Sequence, residues 1–411
     1  MSKCIAILAT MDTKGEECAY LKRQIESQGA TALLIDFGVV GETPIEVDID
    51  KKTVAERGGT ALSVLLEHPS RDIASQVMVA GATLIVNEGI TSGRVHGIIS
   101  LGGTQGTSNA CRVMQTLPYG VPKVMVSTLA SGDTSPYVGI KDITMMFSVA
   151  DILGLNSFMR HILSNAAGAV CGMAKIASRV EFDRAKPLIG ISNLGVLTQG
   201  CMQAIQQFTE RGYETIVFHA VGAGGRAMEQ MMREGIITAV FDYGLGDIAD
   251  SVFGGIRAAD QNRLSVAAEL GLPQVVVPGG IDHLGILLDE PNTVPEKYRD
   301  SIYSYHNPSI FVPRTTGEEM TAIMAVIAER LQHCGSNTVF MLPTLGVSSY
   351  SAKEGALYDP ISDAVFHKSV ERLLPKNIEC VRMNNNAEDE SFVTRAVEIL
   401  TNMINLETET A

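Results

Sequence analysis

Residues 4–38 read CIAILATMDTKGEECAYLKRQIESQGATALLIDFG, and residues 188–222 read LIGISNLGVLTQGCMQAIQQFTERGYETIVFHAVG. Each stretch opens with a short apolar run, turns on small and Asx residues, continues at helical period and meets a glycine (Gly29, Gly212) before a second apolar run. Apolar runs without polar alternation suit strands covered on both faces, and strands separated by helices suit βαβ units. The quoted stretches place strands at 4–9, 32–36, 188–192 and 215–219, with helices at 16–27 and 200–211. Further runs fall at 95–101, 124–127, 239–243, 274–277 and 338–342. A second echo sets GVPKVMV, from Gly120, beside GLPQVVV, from Gly271. The pattern predicts an α/β protein of two Rossmann-like, doubly wound parallel-sheet subdomains.

The charged, proline-ended stretch 178–187 is the natural boundary. It divides the chain into 1–180, expected to bind nucleotide, and 181–403, expected to face substrate or partner, with a disordered tail at 404–411. Residues 156–177, rich in glycine and alanine, read as a helix whose Gly168 and Gly172 would allow close packing.

Composition narrows the class. Of 411 residues, 45% are apolar and 19% charged, which supports sizeable cores and excludes disorder as the default. The 32 basic against 46 acidic residues leave a charge of −14, which opposes a general nucleic-acid or anionic-membrane binder. Seven cysteines form no CxxC pair, so a reducing, cytoplasmic setting is expected. The first apolar run is too short for a signal-peptide core. The longest stretch free of acidic and basic residues, 187–209, carries several Asn and Gln and does not read as a bilayer span.

Ligands of open α/β sheets bind beyond the carboxyl ends of the strands, and with two such units a cleft between them is the default expectation. The strongest local signal is SLGGTQGTSN at 100–109, after a strand and before a helix. Gly102, Gly103 and Gly106 let backbone N–H groups approach an anion, Thr104 and Thr107 add hydroxyls, and the helix start adds a positive dipole end. Phosphate binding is the functional reading; a tight turn with a capping threonine is the alternative. No Gly-Lys-Ser/Thr follows, so this is not a Walker A loop. After the first strand, Thr13 and Glu16 fit a capping box, Lys14 beside Gly15 could meet the same anion, and Asp36 could take ribose or metal. Ser131, Gly132 and Asp133 could complete the pocket.

In the second half, Asp282 and His283 follow a strand and His306 is expected in the loop 305–308; together they could do acid–base work, or they could be hydrogen-bonded loop residues. Formal G-x-G-x-x-A matches begin at Gly222 and Gly244, but 39 glycines make such matches common. No Cys/His spacing suggests a transition-metal site, while Mg2+ carried with a nucleotide stays open.

Taken together, ATMDTKGE (9–16), LGGTQGT (101–107), STLASGDTSPYVGIKDITMMFSVADILGLN (127–156), VPGGID (277–282), HNP (306–308) and RTT (314–316) carry a resemblance. The chain resembles the ATP-binding domain family of the tomato mosaic virus resistance protein, an amino-terminal domain there, and its stand-alone bacterial relatives. The resemblance implies two Rossmann-like subdomains, ATP in the first, and dimers. Gln105 stands where relatives commonly carry a small residue. The expectation is a cytosolic homodimer that binds ATP with Mg2+ and acts on a small metabolite in the interdomain cleft. A non-catalytic, ATP-gated binding module is the first alternative. A nucleotide-independent isomerase or hydrolase of a phosphorylated or carboxylate substrate is the second.

Overall fold

The computed structural model describes residues 2–176, 187–335 and 337–410, with side chains as far as Leu406. The chain divides into two compact units, Met1–Glu181 and Phe182–Ala411. The boundary stretch 178–187 lies outside the described residues as far as Lys186.

The first unit runs β1 (Cys4–Ala9), α1 (Met11–Ser27), β2 (Thr31–Asp36), α2 (Lys51–Arg57), α3 (Leu62–Glu67), α4 (Arg71–Thr91), β3 (Gly97–Gly102), α5 (Thr104–Gln115), β4 (Lys123–Ser127), α6 (Ser135–Val138), β5 (Thr144–Phe147) and α7 (Ser157–Ile176). Its five strands lie in the order β2-β1-β3-β4-β5, all parallel. Alternate residues feed opposite layers. Ile5, Ile7, Ile99, Leu101, Val124 and Val126 pack with Leu21 and Ile25 of α1 and with Leu163 of α7. Ala6, Leu8, Ile98 and Met125 pack with Val54, Met78, Val86 and Val113 on the other face. Each such large apolar side chain, fully buried, contributes about 2 kcal/mol.

Glycine sets one close crossing. A Cβ on Gly81 of α4 would lie 1.9 Å from the Val54 carbonyl oxygen of α2. By length and composition α4 could cross a membrane, which the sequence reading did not register, yet seven of its residues are buried. At the outer edge, residues 48–49 lie along β2. Ile49 accepts from the Asp36 amide at 2.9 Å and donates to the Leu34 carbonyl at 3.0 Å. The Leu34 amide donates to Asp48 at 2.8 Å.

The second unit runs β6 (Leu188–Asn193), α8 (Thr198–Glu210), β7 (Glu214–His219), α9 (Gly222–Arg233), β8 (Ala239–Gly244), α10 (Gly246–Phe253), α11 (Ser265–Leu270), β9 (Gln274–Gly279), β10 (Ile286–Leu287), β11 (Tyr303–Asn307), β12 (Ile310–Pro313), α12 (Gly317–Arg330), β13 (Thr338–Pro343), α13 (Pro360–Leu373), β14 (Glu379–Met383) and α14 (Glu390–Thr410). Six parallel strands lie in the order β14-β13-β9-β8-β6-β7, which repeats the first unit's order and adds one strand. A separate antiparallel sheet, β10-β12-β11, branches from the loop after β9.

The structure differs from the sequence reading at four places. Helix α1 begins at Met11, because Asp36 at the end of β2 accepts its amide at 3.2 Å. Thr13 therefore sits inside the first turn, where its hydroxyl meets Thr10, and no capping box forms with Glu16. His306 lies in strand β11, at a register shift between Tyr305 and Asn307, not in a loop. The last helix continues through 404–410, where a disordered tail was expected; Ile404 still packs on the core that holds Val397 and Leu400. In α7, Ala166, Ala167 and Ala174 are the small residues that pack, while Gly168 and Gly172 face open space.

Candidate functional site

In the first unit, chain order reverses between β1 and β3, since β2 lies on one side of β1 and β3 on the other. The crevice beyond the carboxyl ends of β1 and β3 is the topological switch point. Helices α1 and α5 both start there, so the N-terminal dipole ends of both helices face the crevice. Gly103, the N-cap residue of α5, is extended (φ −82°, ψ −155°) and has no side chain to close the helix start. The first amides of an α-helix lack intrahelical partners, so those of Thr104, Gln105 and Gly106 are the natural donors. Gly102 allows the close turn, because a Cβ there would lie 3.0 Å from Gly106 Cα. Thr107 is buried and ties the turn down, its hydroxyl 2.7 Å from Ser127 Oγ and 3.3 Å from the Gly102 carbonyl. Gln105 swings aside, its amide donating to Ser75 Oγ at 3.1 Å.

The other predicted ligands of this unit are placed differently. Asp36 is buried, and both carboxylate oxygens accept within the chain, from Met11, Gly38 and Thr43. The Lys14 ammonium donates to the Ile152 carbonyl, and Glu17 accepts the Gly154 amide at 2.7 Å, so α1 clamps the loop before α7. Gly15 gives room to Pro44, whose Cγ would lie 2.7 Å from an added Cβ. Ser131, Gly132 and Asp133 are exposed, and Asp133 accepts from the Ser135 amide and hydroxyl at the start of α6.

In the second unit the switch point lies between β6 and β8. Here a buried polar network fills the carboxyl edge. Ser192 of β6 donates to Asp242 of β8 at 2.6 Å, and the fully buried Arg263 forks onto the same Asp242 and reaches Asp247 at 2.9 Å. Glu229 accepts the Leu264 amide at 2.9 Å, and burial pushes its carboxyl up to about 7 against the pull of Arg263. Farther along, Arg257 forms a bidentate pair with buried Asp250, both bonds at 2.8 Å, and donates to His283 Nε2 at 2.9 Å. With Nε2 accepting, the ring proton is on Nδ1, which donates to Asp282 at 2.8 Å. Burial and the Arg257 charge hold the imidazole below its usual pKa, so it is neutral. Burial opposes ionisation of Asp282, yet His283, Arg314 and Ser348 hold its carboxyl well below the usual range. Both ring nitrogens of His283 are thus committed. His306, on the exposed β11, is not hydrogen-bonded into this network among the described contacts.

Residues 3–179 match the N-terminal domain, and 186–404 the C-terminal domain, of the uncharacterised protein family UPF0261. The chain belongs to the UPF0261 family. A UPF0261 protein of Clostridium tetani is 44% identical over 405 residues, covering 98% of this chain and 100% of its own. The ToMV resistance protein Tm-1(GCR237) of Solanum lycopersicum is 31% identical over 395 residues, 91% of this chain and 52% of that protein. Among solved structures, UDP-GlcNAc 2-epimerase from Neisseria meningitidis bound to UDP-GlcNAc overlaps 67% of this chain and 82% of its own at 10% identity and a TM-score of 0.24, a likeness that carries no functional argument.

In this UPF0261 chain the residues that sequence reasoning missed are Arg257, Arg263, Glu229, Asp247 and Asp250. Arg257 and Arg263 stand in a polar segment, IRAADQNR, that reads as a solvated loop. The only local hint was the i, i+3 pair Asp247 and Asp250 at a helix start, with no cation beside it in sequence.

Proposed function

We propose that the first unit binds a nucleotide, ATP with Mg2+, with its phosphates on the amides at the start of α5. The observation that carries this reading is Gly103: an N-cap without a side chain at the switch point of a parallel sheet, with Gly102 and Thr107 holding the turn in place. Such a helix start attracts anions through its N–H groups and its dipole. Thr104, exposed in the first turn, supplies a hydroxyl. Mg2+ would arrive on the phosphates, since Asp36 is already saturated by internal donors. Lys14, Gly15, Ser131, Gly132 and Asp133 would frame the site rather than grip phosphate. The reading is of binding first; the neutral, doubly engaged His283 favours a nucleotide-responsive protein over one that uses that imidazole as a base.

Thermal denaturation with and without Mg-ATP tests it. A ligand present at 100 times its Kd raises folding free energy by about 2.7 kcal/mol, which a melting curve resolves. No shift at millimolar Mg-ATP would sink the reading, and an equal shift from inorganic phosphate alone would reduce it to a phosphate site.

A further inference from the structure

The switch point of the second unit is filled by the protein's own chain. Residues 254–264 leave α10 at Gly254 (φ 80°) and enter α11 after Leu264 (φ 79°), so the segment is bounded by left-handed residues at both ends. Between them it crosses the carboxyl edge of the sheet. Arg263 inserts its guanidinium onto Asp242, Asp247 and the Gly244 carbonyl, and Arg257 inserts its own onto Asp250 and His283. Backbone contacts complete the seat: Ile256 donates to Gly285 at 2.8 Å, Ala259 to Asp247 at 2.9 Å, and Gly222 to Arg257 at 2.9 Å.

Glycines on the surrounding elements clear its path. A Cβ on Gly222 would lie 2.4 Å from the Ala258 carbonyl oxygen, one on Gly225 2.9 Å from Arg263 Cδ, and one on Gly246 3.1 Å from Arg257 Nη1. The grip is polar. Only Leu264, at the end, belongs to the apolar core, Ala259 packs partly against it, and Ile256 is 51% exposed. A segment held chiefly by ions and hydrogen bonds can leave without dismantling the apolar core, at the cost of uncovering the carboxylates of Asp242, Asp247 and Asp250.

We propose that residues 254–264 form a strap that lifts as one piece about Gly254–Gly255 and Leu264 and uncovers a ligand crevice between β6 and β8. In the seated state Arg257 and Arg263 occupy the position a ligand takes in an open parallel sheet. The proposal does not rest on nucleotide binding by the first unit.

Hydrogen exchange on the full chain tests it. The amides of Ile256, Arg257, Ala259 and Leu264 are all hydrogen-bonded within the seat, so each exchanges only on opening. The four are expected to share one opening rate, about tenfold or more faster than the amides of β8 and β9. Gly255→Ala adds a Cβ 2.2 Å from Asp250 Cγ and should speed the four together while the sheet stays protected. Strap amides as slow as those of β8 and β9 in the unaltered protein, or four amides opening at unrelated rates, would overturn the proposal whether or not the variant folds.

Discussion

The hydroxyls of Thr107 and Ser127 lie 2.7 Å apart in the interior of the first unit, joining the first turn of α5 to the end of β4. Ser127 Oγ also accepts the Leu129 amide at 3.0 Å, so the two hydroxyls fix both loops that border the crevice. Thr107→Val keeps the shape and removes the bond, leaving the Ser127 hydroxyl short of a partner. Unfolding free energy should drop by about 1–2 kcal/mol, read by denaturant titration. The nucleotide-induced shift should shrink as well, since the glycine turn loses its tie.

Gly103→Asp separates folding from anion binding. The added Cβ meets only Thr128 Oγ1, at 3.8 Å, and the extended backbone suits an aspartate cap. The cap should leave stability level or raise it by a few tenths of a kcal/mol, while its carboxylate occupies the amides proposed for phosphate. Calorimetric titration with Mg-ATP should lose its heat although the melting temperature holds. Retained binding would move the phosphates elsewhere.

Val149 adopts φ 63° and is 62% exposed. A β-branched residue in that region is strained, and little packing is lost on replacing it. Val149→Asn should stabilise the protein by about 1 kcal/mol, since asparagine enters the left-handed region with less strain. Equal or lower stability on chemical denaturation would mean that this strain is absent or offset.

Glu229 gives the pH dependence a sign. Its folded pKa is raised to about 7 from 4.5, chiefly by burial. Between those values the folded state keeps a proton that the unfolded state has released. The contribution is therefore fully present below 4.5 and is lost as pH rises to about 7, at most about 3 kcal/mol by linkage. Asp363, pushed up to about 6 by burial, adds in the same sense. Glu229→Gln should flatten the fall in stability between pH 5 and 7, measured by urea midpoints. An unchanged slope would assign the dependence to other groups.

Much of the architecture was legible because each central strand carries its own apolar run. The nine strands anticipated from such runs all form, and five of them run one or two residues further, into a following glycine, proline or asparagine. The edges were harder. TMMF of β5 and ECVRM of β14 are half covered, so their composition resembles that of loops, and the tyrosine-rich β11 belongs to a small antiparallel sheet outside the βαβ rhythm. The glycine turn at 102–107 was visible because its chemistry is contiguous. The start of α1 was not, since its cap, Asp36, comes from the neighbouring strand. Likewise Arg263 meets carboxylates from two other elements, a convergence that only the folded sheet creates.

The pairing of Ile49 and Asp48 with β2 reaches beyond the single molecule. A bare strand at a sheet border offers unpaired amides and carbonyls to any other chain that approaches. Here residues 48–49 act as a short decoy strand that already engages those groups. Crowded copies of the protein meet no free ladder along that stretch of β2, and intermolecular sheet growth is blocked there by a segment too short to seed growth itself.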